Sequence, residues 1–585
     1  MIINIVNNIL FTTTINVALT LLATTFGLGL LNRLLTNTNE GFKNQLTYIG
    51  SSYFFGLAIF LLLWRAIDLI IFGSAFLSLF ITIIFTSSCI FFYFKDEFLS
   101  ILTFIKQHYS KIFLSMVLII FMVLLYWIQI DDQAIHGQQL YYFTRIGSLH
   151  TGDYALVSEY INKFNEIPTI RRNMTQMMLG SVSMLFGFGN AIFSLFQFLC
   201  FSIFFMSLFI LGLIKFFTSS KKNTVIYFLI FALGSFSLGF TRIIIIDAGN
   251  PLIAYGYTDT IMANWFAIFS IFVIYFLTRD NKKLSLFETF IVFVLFSSNC
   301  LYGSQNLVLL IPLLITLFLF KQINLKQFIR FFSILILSLI VALTFGGLLT
   351  LEFFSTSTDL GARDSTHSLT QRIEMTTHST ITFVPTLIHY GLGKMGEWIS
   401  NPYLFVLHSY ANLGGFLPDE FTLKKTVYFI IHFISAMEII FWNALRLIFW
   451  PLFAYVVSLI LMKNIQTSKG SEIYKFIYIS SFTIFLIAYF ISFSLAYYGM
   501  KWELSRFMMG GMQMGMLFLV IIFDYLTGLH KKFTRYVFPI LYICIIAGPV
   551  THIFLRSYEN LIRFINYEGF FKMAVKLMFT HTYLN

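Results

Sequence analysis

The sequence predicts an all-α fold: a polytopic transmembrane bundle of about 12–15 spanning helices, with amphipathic interfacial helices in its outer loops. Two observations predict this fold. Of the 585 residues, 58% are hydrophobic and only 11% are charged, whereas soluble chains carry about 25% charged residues. The apolar residues also form continuous blocks, many of them near the length of about 20 residues that a helix needs to cross hydrocarbon. Because unpaired backbone groups are not tolerated in lipid, these blocks must be helical.

The predicted spans extend along the whole chain and predict one transmembrane domain over residues 1–585. They cover residues 9–31, 46–64, 67–94, 112–130, 190–216, 224–246, 261–277, 286–301, 305–320, 331–351, 445–461, 474–497, 507–526 and 536–555. Two further apolar segments, 174–188 and 427–443, fit re-entrant or interfacial helices as well as spans.

The orientation of the bundle follows from its basic residues. Short loops rich in Lys and Arg are predicted to be cytoplasmic by the positive-inside rule, which places the N-terminus outside. These loops contain Arg33, Lys43, Lys95, Lys106, Lys111, Lys215, Lys221, Lys222, Arg279, Lys282, Lys283, Lys321, Lys326, Arg330, Lys463, Lys469, Lys475, Lys531, Lys532 and Arg535. The net charge of +12 therefore predicts contact with membrane lipid, and no nucleic-acid partner is expected. The outer face holds the loops 131–175, 247–260, 352–425 and 498–506. A bacterial inner membrane with its chemistry facing outward is the expected location.

The first outer loop carries the most informative stretch, Ser148-Leu-His-Thr-Gly-Asp-Tyr-Ala155. From residue 154 to residue 164 apolar and polar side chains segregate at helical spacing, which predicts an interfacial helix that ends before Pro168. Asp153 lies at its start. Two hypotheses fit Asp153 equally well: an N-cap of that helix and a catalytic carboxylate.

This loop resembles the GT-C superfamily of membrane glycosyltransferases. The resemblance rests on an acid at the head of the loop, the Tyr-Ala step, the interfacial helix and the Ile167-Pro168 exit. Members of that superfamily take a sugar from a polyprenyl-phosphate carrier on the outer membrane face. The resemblance implies that Asp153 is the catalytic residue.

A late span begins with a second fragment of similar kind, Glu503-Leu-Ser-Arg506-Phe507. The planar guanidinium of Arg506 suits a carrier phosphate, and Arg171 and Arg172 are further candidates. A helix anchor at the headgroups explains Arg506 equally well.

Two acids, Asp247 and Asp259, lie in or beside the loop 247–260. Together they provide oxygen ligands suited to a divalent cation such as Mg²⁺ or Mn²⁺. A solvated loop residue at Asp247 and a helix cap at Asp259 are the alternatives.

The long loop 352–425 offers a competing site, with Arg372, His378, a Gly391-x-Gly393 step and His408. This pattern resembles the outer loop of O-antigen polymerases and ligases, in which a histidine is suited to act as general base. A folded, solvated loop without catalytic function is the alternative.

The sequence thus predicts a membrane glycosyltransferase that moves a sugar from a polyprenyl-phosphate-linked donor to a glycan, lipid or protein acceptor. The alternatives are a polymerase- or ligase-like enzyme and a transporter or flippase of lipid-linked glycan. Intramembrane charges are few, with Arg65, Asp68, Glu438 and Arg446 as the exceptions, which counts against transport. The four cysteines lie far apart without a CxxC pair and predict neither a disulfide framework nor a metal site.

Overall fold

The computed structural model describes most of the N-terminal part of the chain. The described residues are 2–34, 45–71, 75–126, 191–218, 224–234, 258–279, 285–302 and 304–345, with single positions at 479, 517, 520, 521 and 524. Within these ranges the chain forms helices, and no strand occurs among them. The predicted all-α class is therefore confirmed for the described part of the chain.

The helices follow the predicted spans in order. They are α1 (Ile2–Leu34), α2 (Gln45–Ile71), α3 (Ala75–Tyr93), α4 (Lys95–Tyr126), α5 (Ala191–Phe217), α6 (Thr224–Gly234), α7 (Thr258–Arg279), α8 (Leu286–Tyr302), α9 (Ser304–Leu319) and α10 (Leu325–Phe345). Helix α2 is central and packs against α1, α3 and α5, while α8 packs against α7 and α10. Beyond residue 351 the predicted spans are described only at Ile479, Leu517, Val520, Ile521 and Asp524. The interfacial helix predicted at 154–164 lies outside the described residues.

Five helices in the described ranges are long and apolar enough to cross a membrane. The qualifying segments are Leu10–Arg33, Gln45–Asp68, Lys95–Phe121, Phe196–Phe217 and Leu325–Ala342. Shorter apolar helices occur at Leu77–Tyr93, Trp265–Ile274, Leu286–Leu301 and Leu310–Leu319. Length and composition thus agree with a helical membrane bundle.

Helices α1 and α2 approach so closely that their backbones touch. Ala23 and Gly27 on α1 face Ser52 and Gly56 on α2, each pair spaced four residues apart. A Cβ added to Gly27 would collide with the Ser52 carbonyl and the Gly56 backbone, and one added to Gly56 would collide with the Ala23 carbonyl. This small-xxx-small pairing is the arrangement by which membrane helices associate through van der Waals contact.

Substituting Gly27 with alanine is expected to lower the free energy of unfolding by about 1–3 kcal/mol, the cost of overpacking a tight contact. The added methyl meets backbone atoms, which cannot rotate away. Thermal unfolding of the purified protein in detergent measures the effect. Ala18→Leu, an addition at an exposed position of the same helix, is the matched control and should leave the midpoint unchanged. Equal midpoints for the two variants would show that the α1–α2 contact is looser than described.

Hydroxyl side chains within the apolar helices bond to the carbonyl one turn earlier. Thr24 donates to the Thr20 carbonyl at 2.6 Å, and Thr82 donates to the Ser78 carbonyl at 2.7 Å. Such bonds satisfy a hydroxyl without any partner from another helix. They explain how Thr24 and Thr82 are accommodated in these apolar runs.

Reciprocal capping boxes begin α8 and α10. The Ser285 backbone N–H donates to the Glu288 carboxylate at 2.7 Å, and the Glu288 N–H donates to the Ser285 hydroxyl at 3.2 Å. In the second box the Asn324 N–H donates to the Gln327 side-chain oxygen at 3.1 Å, and the Gln327 N–H donates to the Asn324 side-chain oxygen at 2.9 Å. Each box satisfies two backbone donors that a helix start leaves open, and so fixes where the helix begins.

Some predicted boundaries were wrong, among them the start of the third span, which was predicted at residue 67 whereas α3 begins at Ala75. The second span does not end at residue 64, because α2 continues through Arg65 and Asp68 to Ile71. The pairing of these two charges within one helix removes the reason for a break.

The segment 95–111 is also not a loop, because α4 begins at Lys95. Buried Ile101 and Phe104 lie on one face of this segment, so it follows helical periodicity despite its lysines.

Candidate functional site

The described charges that lie deepest form an ion pair on α2. Arg65 and Asp68 are three residues apart and therefore share one helix face. The Arg65 guanidinium contacts the Asp68 carboxylate, and each side chain is only 1% exposed. One residue earlier, the Trp64 indole N–H donates to the Ser78 hydroxyl at 3.0 Å, which ties α2 to α3 beside the pair.

Burial makes this pair energetically demanding. An isolated buried charge costs far more than folding can supply, so buried charges occur as pairs. The second carboxylate oxygen of Asp68, Oδ1, is buried and has no hydrogen-bond partner among the described residues. The ion pair with Arg65 therefore engages one carboxylate oxygen of Asp68 and leaves Oδ1 as a possible hydrogen-bond acceptor.

A polar link joins α5 to α1. The Asn16 amide donates to the Gln197 side-chain oxygen at 2.6 Å, and the Gln197 amide donates to the Thr13 hydroxyl at 2.5 Å. Each amide thereby finds a partner inside an apolar bundle, where an unpaired amide would be costly. The link fixes the rotation of α5 relative to α1.

Aromatic stacking ties α2 to α5 and α7. The Tyr53 ring is stacked on Phe205 at 4.4 Å between centroids, and its hydroxyl lies 3.3 Å from the Ser202 hydroxyl. Phe54, the next residue of α2, is stacked on Trp265 of α7 at 5.0 Å. Offset aromatic pairs of this kind add to the stabilisation from buried area.

The α7–α8 contact contains a buried asparagine. The Asn299 amide donates to the Ser270 hydroxyl and to the Leu295 carbonyl, each at 2.8 Å. Asn299 is fully buried, so these bonds are what make its polarity tolerable. This cluster carries no ionisable group and therefore serves packing specificity.

Most of the site residues predicted from sequence lie outside the described residues. These are Asp153, Arg171, Arg172, Asp247, Arg372, His378, His408 and Arg506. Asp259 is described by its backbone alone and lies in the first turn of α7. That position suits an acid, since the helix dipole favours negative charge at the N-terminus. The distances between these residues lie outside the described part of the structure, and each assignment stays a prediction.

The predicted divalent-cation site also stays a prediction. The described residues contain no group of three or more His, Cys, Asp or Glu side chains that could hold a metal ion. Asp247 and the side chain of Asp259 are outside what is described, so the cation stays a prediction.

The ion pair on α2 was not among the candidate sites predicted from the sequence. Its sequence signal is two opposite charges three residues apart inside an apolar run, but this pattern does not show whether the charges are buried. A second buried acid, Asp524, lies within the predicted span 507–526 and is 4% exposed. A single acid within a predicted span is a sequence signal of a functional position.

The described arrangement therefore offers a charge-compensated pair inside an apolar bundle, held by polar and aromatic contacts between helices. Comparison with models of protein families, with curated proteins and with solved structures finds no match for this chain.

Proposed function

We propose that this chain is a polytopic membrane glycosyltransferase. It transfers a sugar from a polyprenyl-phosphate-linked donor to an acceptor on the outer face of a bacterial inner membrane. The observation that carries the proposal is the first outer loop, with Asp153 at the head of an amphipathic segment that ends at Ile167-Pro168.

The described helices support the membrane part of the proposal. Large apolar side chains point outward along α3 and α4, and Phe113, Leu114 and Phe121 are each more than half exposed. An exposed apolar surface of this extent is unfavourable in water and suits lipid. The buried amides of Asn16 and Asn299 pair with side chains of other helices instead, as expected of a bundle whose surroundings are apolar.

The order of helices supports the orientation. Four helices, α1 to α4, precede the loop 131–175. Arg33 lies at the end of α1 and Lys215 at the end of α5, and both ends are cytoplasmic by the positive-inside rule. Under the proposal, four alternating crossings, α3 included, put residues 131–175, and Asp153 with them, on the outer face.

The mechanism is a direct displacement at the anomeric carbon. Asp153 removes the proton from the acceptor hydroxyl, whose oxygen forms a bond to the anomeric carbon. The bond from that carbon to the carrier phosphate breaks, and its electron pair stays on the phosphate oxygen. Arg506, with Arg171 and Arg172, neutralises the charge that develops on the leaving phosphate.

Cysteine labelling in intact cells tests the orientation on which the mechanism depends. In a background with the four native cysteines replaced by alanine, Asp153→Cys is expected to react with a membrane-impermeant maleimide. Lys222→Cys should react only after the cells are made permeable, since Lys222 lies in a predicted cytoplasmic loop. The reverse pattern would place the proposed catalytic loop on the wrong face and overturn the proposal.

Transport of a lipid-linked glycan is the second candidate, and the α2 ion pair favours it. Buried ionisable residues within membrane helices often lie on substrate or ion pathways. Under this hypothesis Arg65 and Asp68 exchange partners as the substrate passes. The polymerase- or ligase-like alternative keeps its own predicted site at Arg372, His378 and His408.

A further inference from the structure

Helix α4 is longer than a membrane crossing needs. Helix α4 contains 32 residues, and a span takes about 20, which leaves about 12 residues in excess. The helix is interrupted at His108, whose φ of −117° and ψ of 17° are not helical. This interruption separates the segment 95–107 from the apolar half that follows it.

The segment 95–107 divides its side chains into three sectors. One sector is buried against the rest of the protein and includes Ile101 and Phe104. A second sector is polar and exposed, and it consists of Asp96, Ser100, Thr103 and Gln107. The third sector is exposed and combines leucines with lysines, whereas the solvated face of an amphipathic helix is polar throughout.

This third sector combines apolar side chains with lysines. At 3.6 residues per turn, its members fall within an arc of about 60°. They are Lys95, Leu99, Leu102 and Lys106, and all are exposed. The two acids nearby, Asp96 and Glu97, lie outside this arc. The sector is therefore basic and apolar without a compensating negative charge.

The start of the segment is held firmly to the bundle. The Arg33 guanidinium donates to the Tyr93 carbonyl at 2.9 Å and lies 5.0 Å from the centroid of the Phe94 ring. The Phe94 ring in turn packs edge-on against Phe26 of α1. These contacts fix the junction between α3 and α4, so the direction in which the segment leaves the bundle is set by the protein.

We infer that residues 95–107 lie in the membrane interface on the cytoplasmic side and bind anionic phospholipid headgroups. This inference rests on the proposed membrane location. Leu99 and Leu102 enter the boundary between headgroups and acyl chains, as the apolar face of an interfacial helix does. Lys95 and Lys106 extend along it to reach lipid phosphates. The apolar part of α4 beyond Lys111 then enters the hydrocarbon.

Quenching by brominated lipids tests the inference in the full-length protein. Single cysteines at Leu102→Cys, Thr103→Cys and Val117→Cys, in the cysteine-free background, carry an environment-sensitive fluorophore. The protein is placed in nanodiscs of equimolar phosphatidylcholine and phosphatidylglycerol, with bromine on the acyl chains of one lipid at a time. Position 102 samples the basic apolar sector, position 103 the polar sector and position 117 the apolar half of α4.

The inference predicts strong quenching at 102, weak quenching at 103, and more quenching of 102 by brominated phosphatidylglycerol than by brominated phosphatidylcholine. Each lysine near the surface enriches anionic lipid by up to about fivefold. The Lys95→Gln/Lys106→Gln variant, altered only at exposed positions, should bring the two lipids to equal quenching.

The remaining outcomes each overturn a defined part. Quenching at 117 without quenching at 102 would refute the interfacial segment and leave the membrane assignment standing. Equal, deep quenching at 102 and 103 would make the segment part of the span. Equal quenching of 102 by both lipids in the unaltered sequence would refute the anionic preference. No quenching at any position, including 117, would refute the membrane location itself.

Discussion

Asp153→Asn is expected to reduce sugar transfer by about 10²-fold or more, the scale of general base catalysis. Asparagine keeps the shape of the side chain but cannot accept a proton at neutral pH. It caps helices about as well as aspartate, so the unfolding midpoint should change little. Transfer of labelled sugar by the purified variant, measured beside its melting temperature, separates the two roles.

The helix-cap hypothesis predicts a different outcome for the same variant. If Asp153 only caps the segment 154–164, asparagine should preserve both activity and stability. Full transfer activity would therefore remove Asp153 from the mechanism. The catalytic assignment would then pass to the loop 352–425, with its residues Arg372, His378 and His408.

Asp68→Leu is expected to lower the free energy of unfolding by about 3–5 kcal/mol, because it leaves the buried Arg65 cation without its carboxylate. Removing both charges should be much cheaper. A buried ion pair replaced by apolar residues of similar size is often close to neutral in stability. The Arg65→Met/Asp68→Leu variant should therefore unfold near the temperature of the unaltered protein.

Thermal unfolding of the two single variants and the double variant closes a double-mutant cycle. A double variant that loses as much as the sum of the two singles would show that Arg65 and Asp68 do not stabilise each other.

The double variant also separates the two functional candidates. If it folds, the glycosyltransferase hypothesis predicts that it retains sugar transfer, since Asp153 and Arg506 are untouched. The transport hypothesis predicts that lipid-linked glycan movement is lost.

Helix positions were the part of the fold that sequence predicted best. The predicted spans match both ends of α5 and α8 to within one residue, and the end of α1 to within three. This agreement arises because a continuous apolar run has few ways to satisfy its backbone. The errors occurred at charges. Arg65 suggested the end of a span, yet its partner Asp68 lies one turn onward and keeps both inside α2.

Contacts between helices could not be predicted from one sequence. The Asn16–Gln197 hydrogen bond joins residues 181 positions apart, and nothing local to either residue indicates the other. The Gly27–Gly56 contact is similar: each small-xxx-small motif is visible, but its partner helix is not. The capping boxes at Ser285 and Asn324, by contrast, are local patterns that sequence alone could have identified.

The candidate site divides in the same way. Asp153 and Arg506 were identified from local motifs, and a distance between them is a tertiary property that local motifs do not encode. Asp259 is the one predicted site residue with a described backbone, at the first turn of α7. The burial of Arg65 and Asp68 on α2 became evident only from the structure.

The fate of a polyprenyl-phosphate-linked sugar donor tests the proposed function most directly. Purified protein in proteoliposomes is given donor carrying label in both sugar and lipid, together with acceptor candidates. A glycosyltransferase should separate the two labels, leaving free polyprenyl phosphate in the membrane and sugar on the acceptor. Asp153→Asn protein should leave the donor intact. Movement of the intact, doubly labelled donor between leaflets by the unaltered protein, with no free polyprenyl phosphate formed, would contradict the proposal and identify a transporter.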